Sequence, residues 1–183
     1  MKTVVLDRDG VINEDTDAYV KTPSEWVPIP GSLEAIASLH SAGYRVVVAS
    51  NQSGLSRGLF DEQALANIHH KFCLMAEEAG GFIDGIFFCP HLPEDNCDCR
   101  KPATGLLAQI EKQFACSLKG CFLVGDRYTD IQAALLFGLN PILVRTGKGL
   151  DTEKQLRVES NNSALIVDNL AMAVTDIILK VHE

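Results

Sequence analysis

Three aspartates stand where an oxygen-rich site could form. Asp7 and Asp9 are one residue apart in Asp7-Arg8-Asp9-Gly10, directly behind the apolar run Thr3-Val4-Val5-Leu6. Two carboxylates at the end of a buried strand cost free energy unless something pairs with them, and a bound cation is the usual solution. Asp7 then suits a nucleophile of phosphoryl transfer, with Asp9 donating and accepting a proton. The plainer reading is a turn in which both acids cap backbone amides. Asp126, in Gly125-Asp126, adds a third carboxylate. Asp7, Asp9 and Asp126 together make a pocket suited to Mg²⁺, a hard cation that keeps waters and bridges phosphate. Asp130, four residues on, either caps a helix expected from Ile131 or orients the metal or a basic neighbour. A carboxylate attacking a phosphate monoester meets charge repulsion, which Mg²⁺ and a lysine can offset. Lys101 is the candidate lysine, and Pro102 behind it keeps it out of the α region. Ser50 and the amide of Asn51 can donate to phosphoryl oxygens, although Ser50 taken alone reads as a turn residue.

A second constellation is softer. Cys89-Pro90-His91 and Cys97-Asp98-Cys99 offer four soft or borderline ligands. Cys₃His is a structural zinc set, and with all four positions filled by protein the site is closed and non-catalytic. The spacing differs from the usual finger pairs, and the alternative is buried cysteines beside a surface histidine. Residues 90–99 are mostly polar or turn-forming, with no core of their own to hold them. Cys73, Cys116 and Cys121 lie in apolar surroundings and read as reduced core residues. His40, His69, His70 and His182 have no ligand-like company and read as helix-surface residues.

These groups need a scaffold. Ser32 is expected to start a helix with Leu33, Ile36, Ala37 and Leu39 at helical spacing, ended by Gly43. Residues 44–49 read as a second strand, with 50–54 as the loop after it. Asp61 is expected to cap a long helix reaching Gly80-Gly81. Further strands are expected at 83–88, 121–124, 141–144 and 164–167. Further helices are expected from Thr104, over 131–138, and at the end behind Asp168 or Asn169. The stretch from Arg145 to about Thr152 reads as a loop. This alternation predicts an α/β fold, a doubly wound and mostly parallel sheet. In such sheets ligands bind beyond the carboxyl ends of the strands, and Asp7, Ser50, Cys89 and Asp126 all fall there.

Composition narrows the classes. The 183 residues suit one domain over 1–183, large enough for a proper core. A net charge of −8 argues against nucleic acid and anionic membranes as partners. No apolar run reaches the roughly 18 residues that a membrane span needs, and no basic, long apolar leader precedes the first strand. A cytoplasmic location is expected, where a disulfide framework is out of place.

With Asp7-x-Asp9-Gly10, Ser50-Asn51, Lys101 and Gly125-Asp126-x-x-x-Asp130 in place, the chain resembles the haloacid dehalogenase (HAD) superfamily of phosphatases. The run Cys89-Pro90-His91…Cys97-x-Cys99-Arg100-Lys101-Pro102 is similar to its zinc-containing subgroup. The resemblance extends from Met1 to about Gly149 and implies a HAD-like Rossmannoid sheet without a large cap domain and with a zinc-bound loop at 89–99. It implies Asp7 as nucleophile and Asp9 as acid/base. It implies Mg²⁺ held by the Asp7 carboxylate, the Asp9 backbone carbonyl and Asp126, and a phosphoryl group held by Ser50 and Lys101. Zinc would sit on Cys89, His91, Cys97 and Cys99.

Two activities dominate that subgroup. One removes the C7 phosphate of D-glycero-D-manno-heptose 1,7-bisphosphate on the way to nucleotide-heptose and the lipopolysaccharide core; the other hydrolyses histidinol phosphate. Asn13, Asp15, Tyr19 and Trp26, and the segment 51–58 with Gln52, Ser53 and Arg57, resemble the first. The compact cysteine loop with Leu92-Pro93 resembles the second. A second phosphate favours cations, and Arg57, Arg100, Arg127, Arg145 and Lys148 fall on loops expected at the active edge. The reading leans to the bisphosphate, with Arg100 as the specificity residue. Asp15, Tyr19, Asn51, Gln52, Ser53, Arg57 and Arg127 are the further expected contacts to a small phosphorylated sugar, in a monomer. A receiver-type phosphorylation switch shares the sheet and the acidic pocket. It places its phospho-accepting aspartate after a middle strand, where this chain has Ser50 or Cys89.

Overall fold

In the computed structural model, which describes residues 2–158 and 163–182, Thr3–Leu6 forms β1 at the centre of the sheet, every residue buried. A strand covered on both faces reads as a continuous apolar run, and this one does. Arg45–Asn51 (β2), Gly85–Cys89 (β3), Phe122–Gly125 (β4), Asn140–Val144 (β5) and Leu165–Val167 (β6) complete a sheet in the order β3-β2-β1-β4-β5-β6. Every pairing is parallel, so each connection must cross over the sheet. The crossing helices are Ser32–Ser41 (α1), Glu62–Glu78 (α2), Gly105–Phe114 (α3), Tyr128–Phe137 (α4) and Gly149–Val158 (α5). Leu170–Met172 (α6) runs on into a π-helical stretch, Ala173–Ile178.

The period-two pattern of the strands divides the core. Val4, Leu6, Val46, Val48 and Val124 pack with Ile36 and Leu39 of α1, Ile68 and Phe72 of α2, and Leu170 of α6. Val5, Val47, Ala49 and Leu123 face the other way, onto Leu107 and Ile110 of α3 and Ala133 and Ala134 of α4. Leu143 of β5 meets Ile131 of α4 and Leu156 of α5. Fully burying one such side chain contributes about 1.5–3 kcal/mol.

Several boundaries differ from the expectations. β2 runs on through Ser50 and Asn51, because these backbones pair with Phe88 and Cys89 of β3. α4 begins at Tyr128, three residues ahead of Ile131: Arg127 is its N-cap, and its N–H donates to Asp130 Oδ2 at 3.0 Å. α5 replaces the second half of the loop expected over 145–152. Asp61 caps α2 by accepting from the Ala64 N–H at 2.8 Å, and Asn169, not Asp168, caps α6. Cys73, Cys116 and Cys121 are free and half-buried, at the edges of the core and not inside it. The reading of His182 as a surface side chain falls on a side chain that the structure does not describe.

The chain leaves β1 for β2 and β3 on one side, then crosses to β4 on the other. That reversal opens a crevice above the carboxyl ends of β1 and β4. Among the described residues, no helix is long and apolar enough to cross a membrane.

Candidate active site

The crevice receives Asp7 from β1 and Asp126 from β4. The Asp7 N–H donates to Val124 O at 2.9 Å, carrying the β1–β4 pairing to the carboxylates themselves. Gly10 turns the chain away at φ 81°, and a Cβ there would run into the Asp126 carboxylate. Lys101 Nζ lies 3.0 Å from Asp7 Oδ1 and 2.6 Å from Asp130 Oδ1, and donates to Ala49 O at 2.6 Å. Asn51 clasps the lysine's backbone: its Nδ2 donates to Lys101 O and its Oδ1 accepts from Lys101 N, both at 3.0 Å. Asp130 gives one oxygen to Lys101 and the other to the Arg127 N–H. It therefore caps α4 and orients the basic neighbour at once.

Charge is unbalanced here. Burial penalises the Lys101 ammonium, but the Asp130 and Asp7 carboxylates outweigh it and raise its pKa. Burial, then Asp130 and Asp9 working against the pull of Lys101, push Asp7 up to about 6. Burial, then Asp7 and Asp130, push Asp126 up to about 8. Asp126 Oδ2 accepts from the Lys148 N–H at 2.7 Å, while its Oδ1 is buried with no hydrogen-bond partner. Ligand oxygens of Asp7, Asp126 and Asp130 lie within 4.8 Å of one another. An orphaned buried oxygen and excess negative charge among hard donors fit Mg²⁺.

Asp9 does not join that cluster with its side chain, contrary to the expected trio of Asp7, Asp9 and Asp126. Arg8 Nη2 donates to both Asp9 oxygens at 2.9 Å, and Asn13 Nδ2 and Gln52 Nε2 donate at 2.9 and 2.8 Å. Burial opposes the Asp9 charge, yet Arg8 and these hydrogen bonds prevail and lower its pKa. Arg8, 1% exposed, is a site residue that the sequence reading passed over. His69 is another. It is half-buried against Phe72 and Phe88, with Nε2 3.4 Å from Arg8 Nη1. Burial and then Arg8 lower its pKa to about 4, so it is neutral. Its place was legible: four residues after Leu65 and three before Phe72, it flanks the buried stripe of α2.

A cavity of about 830 Å³ opens over these groups. Its walls include Asp7, Asp9, Ser50 and Lys101, together with Asp15, Tyr19, Asn51, Gln52, Ser53, Arg100 and Arg127. Thr152 and Gln155 of α5 add an unexpected wall. Arg57 is not among the lining residues; it lies in an exposed turn. Arg145 is also absent, because Glu153 and Asp168 hold it at 2.8 and 2.6 Å. Arg127 pairs with Asp15 at 2.8 Å and Lys148 with Asp17 at 2.6 Å, tying the loop after β1 to those after β4 and β5. Arg100 donates to His91 O at 3.1 Å. Among the described residues, it is the cavity-lining cation with no carboxylate ion-paired to it.

β3 ends at Cys89, and the chain returns through Cys97 and Cys99 to Arg100 and Lys101. The three sulfurs lie 3.2, 3.5 and 3.6 Å apart, and His91 Nδ1 lies 3.5 and 3.3 Å from those of Cys89 and Cys99. Tetrahedral zinc with Zn–S near 2.3 Å sets its ligands about 3.8 Å apart. The four donors already converge on one point, and the set fits zinc.

Residues 98–173 match the HAD-hydrolase-like family. The chain is 47% identical over 178 residues to the D-glycero-beta-D-manno-heptose-1,7-bisphosphate 7-phosphatase of Pseudomonas putida, covering 97% of this chain and 100% of that protein. It is 50% identical over 155 residues to the phosphatase of the same name from Bordetella bronchiseptica, covering 85% and 87%. The crystal structure of D,D-heptose 1,7-bisphosphate phosphatase from B. bronchiseptica, complexed with magnesium and phosphate, is similar with a TM-score of 0.93 at 44% identity, covering 98% of this chain and 99% of that one. With nearly half its residues shared over almost its whole length, the chain belongs to the HAD-like hydrolases, in the family of the heptose-1,7-bisphosphate 7-phosphatases.

Proposed function

We infer that the protein is a Mg²⁺-dependent phosphatase that removes the C7 phosphate of D-glycero-β-D-manno-heptose 1,7-bisphosphate through an aspartyl-phosphate on Asp7. An Asp7 oxygen attacks phosphorus as the bond to the sugar oxygen breaks, and Asp9 delivers a proton to that oxygen. Asp9 then takes a proton from the water that attacks the aspartyl-phosphate, releasing inorganic phosphate and restoring Asp7. Lys101 and Ser50 hold the phosphoryl oxygens during both steps. Mg²⁺, held by the Asp7 and Asp126 carboxylates and the Asp9 backbone carbonyl, neutralises the charge of the transferred group. Asp130 keeps Lys101 in place. Cys89, His91, Cys97 and Cys99 would hold zinc, which with four protein ligands would fix the loop and take no part in the chemistry. Asp15 and Tyr19 face the sugar. We place the enzyme in the cytoplasm as a monomer, supplying nucleotide-heptose synthesis for the lipopolysaccharide core.

The observation that carries the bisphosphate reading is Arg100, a cavity-lining cation that no carboxylate among the described residues has claimed. A phosphate that is not transferred needs such a partner. Histidinol phosphate, itself cationic, gains nothing from it. The test is a substrate panel with both anomers of the bisphosphate, the heptose 7-phosphate and histidinol phosphate. The β-bisphosphate should give the highest kcat/KM; a preference for histidinol phosphate would overturn the reading.

A further inference from the structure

Arg8 is buried at the active site, yet its Nε and Nη2 donors are committed to Asp9 and Gln52 and not to a phosphoryl group. Nη2 donates to both oxygens of Asp9 at 2.9 Å, and Nε donates to Oδ1 at 3.1 Å. Nη2 also reaches Gln52 Oε1 at 3.1 Å. Gln52 Nε2 in turn donates to Asp9 Oδ2 and to Ser50 Oγ, each at 2.8 Å. On the far side, Nη1 faces His69 Nε2 at 3.4 Å, and a nitrogen facing a guanidinium can serve only as acceptor. A planar, five-donor fork fixed at three corners has little freedom left, and it transmits that rigidity to the carboxylate it grips.

We propose that Arg8, braced by Gln52 and His69, is the positioning residue that sets where the Asp9 carboxylate stands at the leaving-group oxygen, so that His69 acts on the reaction from α2. The proposal rests on Asp9 being the acid/base. It also reassigns Gln52: with both ends of its amide engaged by Asp9, Ser50 and Arg8, it joins the proton donor to the phosphoryl-holding hydroxyl and is not a free contact to the sugar.

A displaced acid has a signature that general damage lacks. It slows substrates whose leaving group must be protonated and spares those that leave as stable anions. The experiment measures kcat/KM, which reports steps up to leaving-group release, for the heptose bisphosphate and for 4-nitrophenyl phosphate. Arg8→Met should lower the sugar value by about 10²-fold, the scale of a ~1 Å misplacement, and change the aryl value only a few-fold. His69→Phe, which removes the acceptor, should show the same selective loss in weaker form, and His69→Gln, which restores one, should recover it. If Arg8→Met fails to fold, the His69 pair decides. Equal losses on both substrates in Arg8→Met and His69→Phe overturn the proposal. Asp9→Asn is the reference. If it is selective while the Arg8 and His69 variants are not, the positioning role alone falls. If it is not selective, the acid/base assignment falls and takes this proposal with it.

Discussion

At the floor of the cavity and just beneath it, Asp7, Lys101, Asp130 and the enclosed Asp126 are at most 6% exposed, and each hangs from a strand end, a capped helix or the Asn51 clasp. At the rim, none of residues 90–98 is buried; the chain crosses open ground between Cys89 and Cys99 with one 3₁₀ turn, Pro93–Asp95, on the way. The floor is organised by the sheet and by opposed charges. The rim has no apolar core to hold it, and four metal donors converge where such a core would be. The contrast separates two tasks. In the proposed function, bond breaking falls to groups that the fold fixes outright, and substrate choice to Arg100, which the cysteine loop presents.

The most severe way to break that contrast is at the floor. Asp7→Asn keeps the size of the side chain but removes the attacking charge. No turnover should be measurable on any phosphate ester, with an unchanged circular dichroism spectrum; activity above a few per cent of the parent would remove Asp7 as nucleophile. A rim variant should be milder. Cys97→Ser should lose zinc by metal analysis and lower kcat by about 10²-fold, since a ~1 Å shift of the Arg100-Lys101 segment is enough. Mg²⁺ should still be required by the zinc-loaded parent, and full activity in a zinc-free variant would end the positioning role of the loop. The sharpest test is also the smallest. Arg100→Ala should lower kcat/KM for the bisphosphate by roughly one to two decades, from a lost charge-assisted contact of about 1.5–3 kcal/mol. The heptose 7-phosphate should be nearly unaffected. Equal losses would assign Arg100 to the transferred phosphoryl group.

The same division governs what the sequence made legible. β1 was readable to the residue because a strand buried on both faces leaves an unbroken apolar run, Thr3–Leu6. The floor residues were readable because a parallel sheet sends every strand end to one edge, so Asp7, Ser50 and Asp126 had to meet. α5 was not, because its anchoring is mostly ionic: Glu153 binds Arg145 and Arg157, Thr152 Oγ1 donates to Asp126 O, and Leu156 is its buried apolar contact. Its other apolar side chains, Leu150 and Val158, are exposed, and the three do not fall at helical spacing, so a periodicity argument finds no helix. Arg8 escaped for a related reason. Between two candidate catalytic acids it reads as a spacer, and only the fold reveals that it faces inward with His69 behind it. Arg57 and Arg145 were counted as active-edge cations from loop position alone. One ended in an exposed turn and the other in ion pairs with Glu153 and Asp168.

Asn51, the last residue of β2, and Gln52 directly behind it govern both ends of the cysteine loop. Asn51 pairs with Cys89 in the sheet, and the Gln52 N–H donates to Cys89 O at 2.7 Å, securing the departing strand. The Asn51 side chain takes both the N–H and the carbonyl of Lys101, securing the return. The neck of the excursion is thus held from β2 as well as by the four cysteine and histidine donors. Closing a loop costs only about 0.6 kcal/mol more each time its length doubles. Residues can therefore be added or removed between His91 and Cys97 while the lysine stays where it is. Evolution or a designer can recut the mouth of this enzyme, and with it the range of substrates admitted, without touching the reacting centre.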